Sequence, residues 1–442
     1  MGMRITTSMM MNTYRYNLQG STRNLSDARN KVLSHRNFDS YAEDPASATK
    51  AWRIRRAMAS NFDYQANNDD TYSRFSIAST TMGVVNHDLE DLDGRFSTIR
   101  GVSGTAGAGR QPLGQVLDKS AETIIQAMNS AKYGDHFVFS GDDEMNAPFS
   151  WSDDMKTLYY RGVNVGAGAV KNPGEKPTWF LEAVANGDRT LVPAAGTDDV
   201  EQAWVDYANA QFDGNTTIPC PSDAPTTWGE KDRFGVPKEM PENPANAYER
   251  AWKAYYTDQG DVAKLKYMAE EEQNVDLGMG LQEDDKDVLI NGTAFNRALP
   301  GINMLGGYGV DEDGDPKNVV LITKRLGELL SNADPDSGAW DADPAKANEI
   351  HEEAMRLLDK LNAAHHRTTD AYTEVETKAH FLQTNQTRLE TQGDYLQEER
   401  VNIEQVDLAD AIMEFSWDYY CYSAALKIGN QLLSQTLIDY MT

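Results

Sequence analysis

Near the C-terminus, apolar residues recur in steps of three and four at Leu408, Ile412, Phe415, Tyr419, Tyr422, Leu426, Gly429, Leu433, Leu437 and Tyr440. A helix turns once every 3.6 residues, so these positions share one face of a long amphipathic helix. Just upstream, Leu361, Thr368, Val375, Leu382, Leu389, Leu396 and Ile403 fall seven apart. That repeat lets helices wrap around each other with a left-handed twist. Its companion positions include His365, Gln386, Gly393 and Arg400, so the seam is imperfect. No proline follows Pro344, and the pattern predicts helix from Ala345 to the end. Unbroken from Leu357 to Met441, it would be about 120 Å long at 1.5 Å per residue. It cannot bury such a seam on itself and needs partners.

Residues 3–33 carry a second stripe at Met11, Tyr14, Leu18, Ser21, Leu25, Ala28 and Val32, with Arg15, Asn17, Arg23, Asn24, Asp27 and Arg29 on the opposite face. The two chain ends thus each offer one apolar stripe. The simplest burial is against each other, with any uncovered face left for neighbouring subunits. Each apolar side chain removed from water contributes roughly 1.5–3 kcal/mol, against ordering costs of about 1–2 kcal/mol per backbone residue. Two isolated helices are therefore marginal, and the ends are expected to be mobile in a free monomer and ordered in an assembly.

A loop from Ser34 leads to Asp44-Pro45-Ala46, a helix start: the carboxylate can take up free amides and the proline ring presets the first turn. The helical pattern runs on through Trp52, Met58, Phe62, Phe75, Met82, Val85, Leu89, Leu92 and Ile99 until glycines between Gly101 and Gly109 break it. A further helix, about Leu113 to Tyr133, precedes Phe137-Val138-Phe139 and the turn Ser140-Gly141. From residue 146 to 344 the composition shifts. Most of the 16 prolines lie there, and strand-like runs appear at 157–165, 179–184 and 288–293. Helical segments are expected at 199–211, 245–273 and 318–330. The fold class this predicts is mainly α, with long paired N- and C-terminal helices and an inserted mixed α/β or β-rich domain.

Charge narrows the partners. The 442 residues include 69 acidic and 41 basic side chains, a formal net charge of -28, which repels phosphate backbones and acidic membranes. Arg53, Arg55 and Arg56 beside Trp52 form the one candidate basic patch and read best as solvated helix arginines paired with nearby acids. No apolar run approaches the roughly 18 residues of a membrane span. Cys220 and Cys421 are too few and too far apart for a disulfide framework. Thr6, Thr7, Asn12, Thr13 and Arg15 interrupt any signal-peptide core, so general secretory export is not expected.

Candidate chemistry is sparse. His351-Glu352-Glu353-Ala354-Met355 begins like a zinc-protease helix, but Met355 stands where the second histidine is needed. Asp311, Asp313 and Asp315 around Gly314 suggest a calcium loop, yet its first and twelfth positions would be Gly309 and Val320. An acidic surface turn is the better reading, with weak calcium binding left open. His365 and His366 are adjacent and point about 100° apart on a helix. Gly301, Gly306, Gly307 and Gly309 lack phosphate-loop spacing, and neither a G-x-S-x-G nor a C-x-x-C motif occurs. No catalytic residue, cofactor or metal is expected, and the protein does not read as an enzyme.

Arg4-Ile5-Thr6-Thr7, Met9-Met10, Asn17-Leu18 and Asp44-Pro45-Ala46 resemble the opening of the flagellin-like axial proteins of the bacterial flagellum. Phe137-Val138-Phe139-Ser140-Gly141, Pro148-Phe149 and Ile438-Asp439-Tyr440 look more like the hook-associated, hook-filament junction members of that family. The resemblance covers residues 3–150 and 350–442, and more loosely 288–306. Where the family usually has a glycine after the serine closing the first helix, this chain has Ser34-His35-Arg36-Asn37-Phe38, and Gly83 interrupts a helix.

The resemblance implies an inner domain of 3–44 with 400–442, a helical bundle of 45–145 with 345–399, and an outer insert of 146–344. It also implies export through the flagellar type III channel and assembly as a ring at the hook-filament junction. Partners would be further copies of this chain, the first hook-associated junction protein, flagellin and an export chaperone, with neither nucleic acid nor membrane insertion. A bulk filament subunit and, more remotely, a cytoplasmic coiled-coil scaffold are the alternatives.

Overall fold

The computed structural model describes residues 7–38, 40–101, 107–173, 228–242, 247–284, 289–290, 292–331 and 344–441. Arg4, Ile5, Cys220 and the runs expected at 179–184 and 199–211 lie outside the described residues, as does part of 288–293. The protein is mainly helical, with small antiparallel sheets. Its described helices are α1 (Thr7–Ser34), α2 (Pro45–Gly101), α3 (Gly107–Ser130), α4 (Ala247–Ala269), α5 (Gly301–Met304), α6 (Val319–Ser331), α7 (Pro344–Glu404) and α8 (Leu408–Met441). Strands are short: β1 (Lys132–Tyr133) pairs with β2 (His136–Phe137), and β3 (Phe149–Trp151), β4 (Leu158–Tyr160) and β5 (Val163–Asn164) form a three-stranded sheet. β6 (Asn274–Val275) pairs with β7 (Phe295–Asn296).

The chain divides into two compact units. The first comprises residues 1–68, Leu277–Met279 and 384–442; the second comprises 69–276 and 280–383.

In the second unit α6 is the core helix. Val319, Val320, Leu321, Ile322, Leu326, Leu329 and Leu330 are all buried, so little of its circumference meets water. It crosses α3 at a pair of glycines. A β-carbon on Gly114 would lie 2.7 Å from the Gly327 carbonyl, and one on Gly327 would lie 3.0 Å from the Gly114 carbonyl. Only glycine at both places allows backbones this close. Leu117, Ala121, Ile124 and Met128 of α3 complete the contact face and are likewise buried.

The Phe-Val-Phe-Ser-Gly run closes a turn in the same unit. Phe139 is buried, its carbonyl accepting from the Tyr160 hydroxyl (3.0 Å) and the Gly301 amide (2.9 Å). Buried Ser140 donates to the Phe137 carbonyl at 3.0 Å. Gly141 has φ 62°, which lets the Glu271 carboxylate sit against its α-carbon and accept from the Asp142 amide at 3.0 Å. Arg161 neutralises that carboxylate at 2.7 Å. The run at 157–165 is two strands rather than one. Arg161 (φ 51°) and Gly162 (φ 78°) are both left-handed, the geometry of a two-residue hairpin turn.

Within this unit α2 and α7 share an antiparallel seam. Phe75, Met82 and Leu89 of α2, and Leu361, Thr368, Val375 and Leu382 of α7, are buried at seven-residue intervals. Gly83 faces the Tyr372 hydroxyl, which would sit 3.7 Å from an added β-carbon, an ordinary contact. Gly83→Ala is therefore expected to stabilise the protein by about 0.5–1 kcal/mol through helix propensity alone, measured as a raised urea midpoint with unchanged slope. A lowered midpoint would mean that the tyrosine cannot accommodate the methyl group.

Candidate assembly interface

In the first unit α1 and α8 pack antiparallel, with Tyr14 against Gly429 at one end and a Lys31–Glu414 ion pair (3.1 Å) at the other. On α1 the covered positions are Met11, Tyr14, Leu18, Ser21, Leu25, Ala28 and Val32, and Ala28 is fully buried. The opposing seam on α8 consists of Ala411, Phe415, Asp418, Tyr422, Ala425 and Gly429, again in steps of three and four. A β-carbon at Gly429 would overlap the Tyr14 hydroxyl and ring. The tyrosine therefore lies directly on the α8 backbone.

The helical span from 345 onward is interrupted at 405–407. Asn37, from the loop between α1 and α2, donates its side-chain amide to the carbonyls of Ile403 (3.1 Å) and Gln405 (2.9 Å). Its main-chain amide donates to Glu404 O (2.9 Å), and Val406 donates to His35 O (3.3 Å). Terminal carbonyls of α7 are thus satisfied from the other end of the chain, so the helix can stop there. Asp407 then opens α8, accepting from the Ala409 amide at 2.8 Å. His35, which closes α1, holds a left-handed φ of 56° at a position where helices usually place glycine. Asp44 caps α2 through the amides of Ala46 (3.0 Å) and Ser47 (3.1 Å), with Pro45 in the first turn. Hydrogen bonds from the Ser47 side chain and amide hold its carboxyl below the usual carboxylate range.

Sequence spacing and structure place the α8 stripe differently. Phe415, Tyr422 and Gly429 are covered, but Leu408, Ile412, Tyr419 and Leu426 are exposed, and the side chains of Leu433 and Leu437 are outside the described set. The reason is that α8 is apolar around most of its circumference, so spacing alone does not select a face. Small Ala411, Ala425 and Gly429 permit the closest approach and form the seam. On the side away from the seam, Met413, Trp417 and Tyr420, again four and three apart, are 63%, 67% and 68% exposed. Trp417 and Tyr420 stack on each other with ring centres 6.3 Å apart. Tyr16 and Leu33 add exposed apolar surface on α1. A stripe of large exposed apolar side chains on one helix face is a common mark of an interaction surface.

No comparable geometry supports catalysis among the described residues. The three aspartates of the acidic loop do converge, with oxygens within 4.8 Å of one another. The Lys360 ammonium from α7 bonds all three, at 2.6 Å from Asp311, 2.8 Å from Asp313 and 2.6 Å from Asp315, and Arg356 adds a 2.6 Å contact to Asp315. The protein's own cation thus stands among the carboxylates. Burial alone would raise the Asp311 and Asp315 carboxyls, but hydrogen bonds from Lys360 and Arg356 outweigh it and hold both below their ordinary values. The turn is a hairpin closed by the Asp311 side chain, which accepts from the amides of Asp313 and Asp315, with Gly314 at φ 83°. Asp232 builds the same turn over Phe234 and Val236, with Gly235 at φ 82°, and both loops share an Asp-x-x-Gly-x-Pro sequence.

This latch carries a pH sign. Its lowered carboxyl values give stability that is complete above about pH 4 and is lost as pH falls through the native values. Lys360→Met is expected to cost about 1–3 kcal/mol at pH 7 and to flatten that acid dependence, read by thermal melts across pH. Millimolar calcium is expected to leave the parent's melting midpoint unmoved. A calcium-dependent rise would mean that the ion displaces the lysine.

Arg55 pairs with Glu404 at 2.7 Å, and Arg56 lies over the Trp52 ring at 5.8 Å. The basic patch is therefore partly spent on local contacts. His365 is buried and bonds Asn86 Oδ1 at 3.2 Å. Cys421 lies half-buried on α8. Among the described residues no helix is long and apolar enough to cross a membrane.

The architecture is that of a mainly helical protein whose chain ends pair and keep an unpartnered apolar face. No family model and no curated protein matches the chain. Among solved structures, one described as a "putative flagellar hook-associated protein from Vibrio parahaemolyticus" is similar over 82% of this chain and 100% of its own, at 12% identity and a TM-score of 0.43. At that distance the likeness decides nothing about what this chain does.

Proposed function

We propose that this chain is a structural axial protein of the bacterial flagellum that assembles through α1 and α8 into a ring at the hook-filament junction. The observation that carries the reading is the two-sided character of α8: a seam of Ala411, Phe415, Asp418, Tyr422, Ala425 and Gly429 against α1 and an exposed stripe of Met413, Trp417 and Tyr420 on the other side. Burying each large apolar side chain contributes roughly 1.5–3 kcal/mol. A single such contact is weak once association costs are subtracted, whereas a closed ring makes every contact at once. The motifs at Arg4-Ile5, Asp44-Pro45 and Phe139-Ser140-Gly141 support the family, and those around Phe139 favour a junction member over a filament subunit.

On this reading 3–44 with 400–442 form the inner layer, 45–145 with 345–399 the next, and 146–344 the outward insert. The chain is exported by the flagellar type III system and functions outside the cell. Its neighbours are further copies of itself, the first hook-associated junction protein and flagellin, and an export chaperone holds it beforehand. It performs no catalysis.

Quantifying this chain against total protein in sheared, purified flagella tests the proposal. A junction ring accounts for a trace of the mass. If the chain makes up most of the filament, it is the bulk subunit instead, and its absence from the preparation would refute any axial role.

A further inference from the structure

In the first unit the seam between α2 and α7 is polar where paired helices are ordinarily apolar. Ile54, Asn61 and Asn68 fall seven apart on α2, and the two asparagines are buried. Asn68 donates to Gln386 Oε1 at 3.0 Å and accepts from Asn385 Nδ2 at 2.9 Å. Gln65 donates to Asn61 Oδ1 at 2.9 Å and to the Leu389 carbonyl at 3.0 Å. On this pair lies Leu277–Met279, a short segment whose flanking residues on both sides belong to the other unit.

Leu277 is wholly buried there. Its carbonyl accepts from Asn385 Nδ2 (3.2 Å) and Arg388 Nη2 (3.3 Å), and the Gly278 carbonyl accepts from Arg388 Nη2 (3.2 Å). Gly278 has φ 73°, and a β-carbon on it would come within 2.8 Å of the Tyr64 ring. A glycine is required on both counts.

We propose that Leu277–Met279, seated on Asn385 and Arg388, is a clamp that fixes the register of α2 against α7. Between Leu382 and Leu396 apolar burial does not select that register. Leucines stand at 382, 389 and 396, so a slide of seven residues along α7 replaces one leucine by another. Polar groups do select it. Seven residues beyond Asn385, Gln386 and Arg388 stand Gln392, Gly393 and Tyr395. In the slipped pair Asn68 loses the Gln386 amide, and the clamp's carbonyls lose the guanidinium. Each polar group left buried without a partner disfavours the slip, and buried asparagines are an established means of choosing one register among several. This proposal does not depend on the flagellar one, since it concerns the pairing of α2 with α7 and no contact with another chain.

The test measures distance between spin labels at Phe62→Cys and Tyr395→Cys, both exposed positions, in the full chain with Cys220→Ser and Cys421→Ser. Two clamp variants are compared: Gly278→Val, which excludes the segment, and Asn385→Leu/Arg388→Met, which removes its donors. The parent should give one distance. Each variant that keeps the parental helix content should add a second, longer distance, because one label has moved about 10 Å along the helix axis, the rise of seven residues, relative to the other. A single parental distance in either folded variant overturns the proposal. So does loss of helix content in both variants, because the segment would then be needed for folding rather than for register.

Discussion

Gly429→Leu is expected to part α1 from α8 while leaving the second unit folded. Its side chain would occupy the place of the Tyr14 ring, and overpacking of this kind costs about 1–3 kcal/mol. That is a large share of what two long surface helices gain from one seam. Limited proteolysis should show both chain ends cut faster, with fragments from 107 to 331 surviving as in the parent. Tyr14→Ala in the same chain makes room for the leucine and should restore part of the protection. Such non-additivity is the mark of two side chains that touch. If Gly429→Leu is as resistant as the parent, the antiparallel seam is placed wrongly.

Trp417→Asp/Tyr420→Asp is expected to do the opposite. Both side chains are exposed, so chain stability should change by no more than about 0.5 kcal/mol. In an assembled contact each loses roughly 2 kcal/mol of apolar burial and places a carboxylate where water is excluded. Together these amount to at least a hundredfold loss of affinity per contact, at about 1.4 kcal/mol per factor of ten. Incorporation into flagella of cells expressing only the variant should fail although the protein is made and exported. Leu18→Asp should also block assembly, but by a different route, since Leu18 is half-covered by α8 and its loss unfolds the pair first. Leu426→Asp, at an exposed position beside the α1 seam and on a different face of α8 from Trp417, should also block assembly. Normal incorporation of Trp417→Asp/Tyr420→Asp would remove the outer face of α8 from the account.

These paired outcomes follow from what spacing in the sequence does and does not encode. The covered positions of α1 are those of its stripe, because apart from Met9, Met10, Tyr16 and Leu33 the rest of that helix is mostly polar. On α8 most faces are apolar, and the choice is made by size, with Ala411, Ala425 and Gly429 drawing α1 close and Trp417 left outside. Size complementarity across a seam involves two helices and is not a property of either sequence alone.

The interruption at 405–407 was hidden for a related reason. Its hydrogen bonds come from His35 and Asn37, more than 360 residues away. Lys360 among the aspartates is again a partner supplied from a distance, 45 residues beyond Asp315. The seven-residue repeat Ile54, Asn61, Asn68, Phe75, Met82 and Leu89 was in principle visible on α2. Two asparagines at core positions disguise it as a polar stretch, and those asparagines belong to the helix pair that the clamp holds.

The most direct measurement is gold labelling of intact cells with an antibody against residues 146–344, viewed by electron microscopy. Label is expected at a single spot on each flagellum, where hook meets filament. Label along the whole filament would make the chain a bulk subunit, and label only in lysed cells would contradict an axial role altogether.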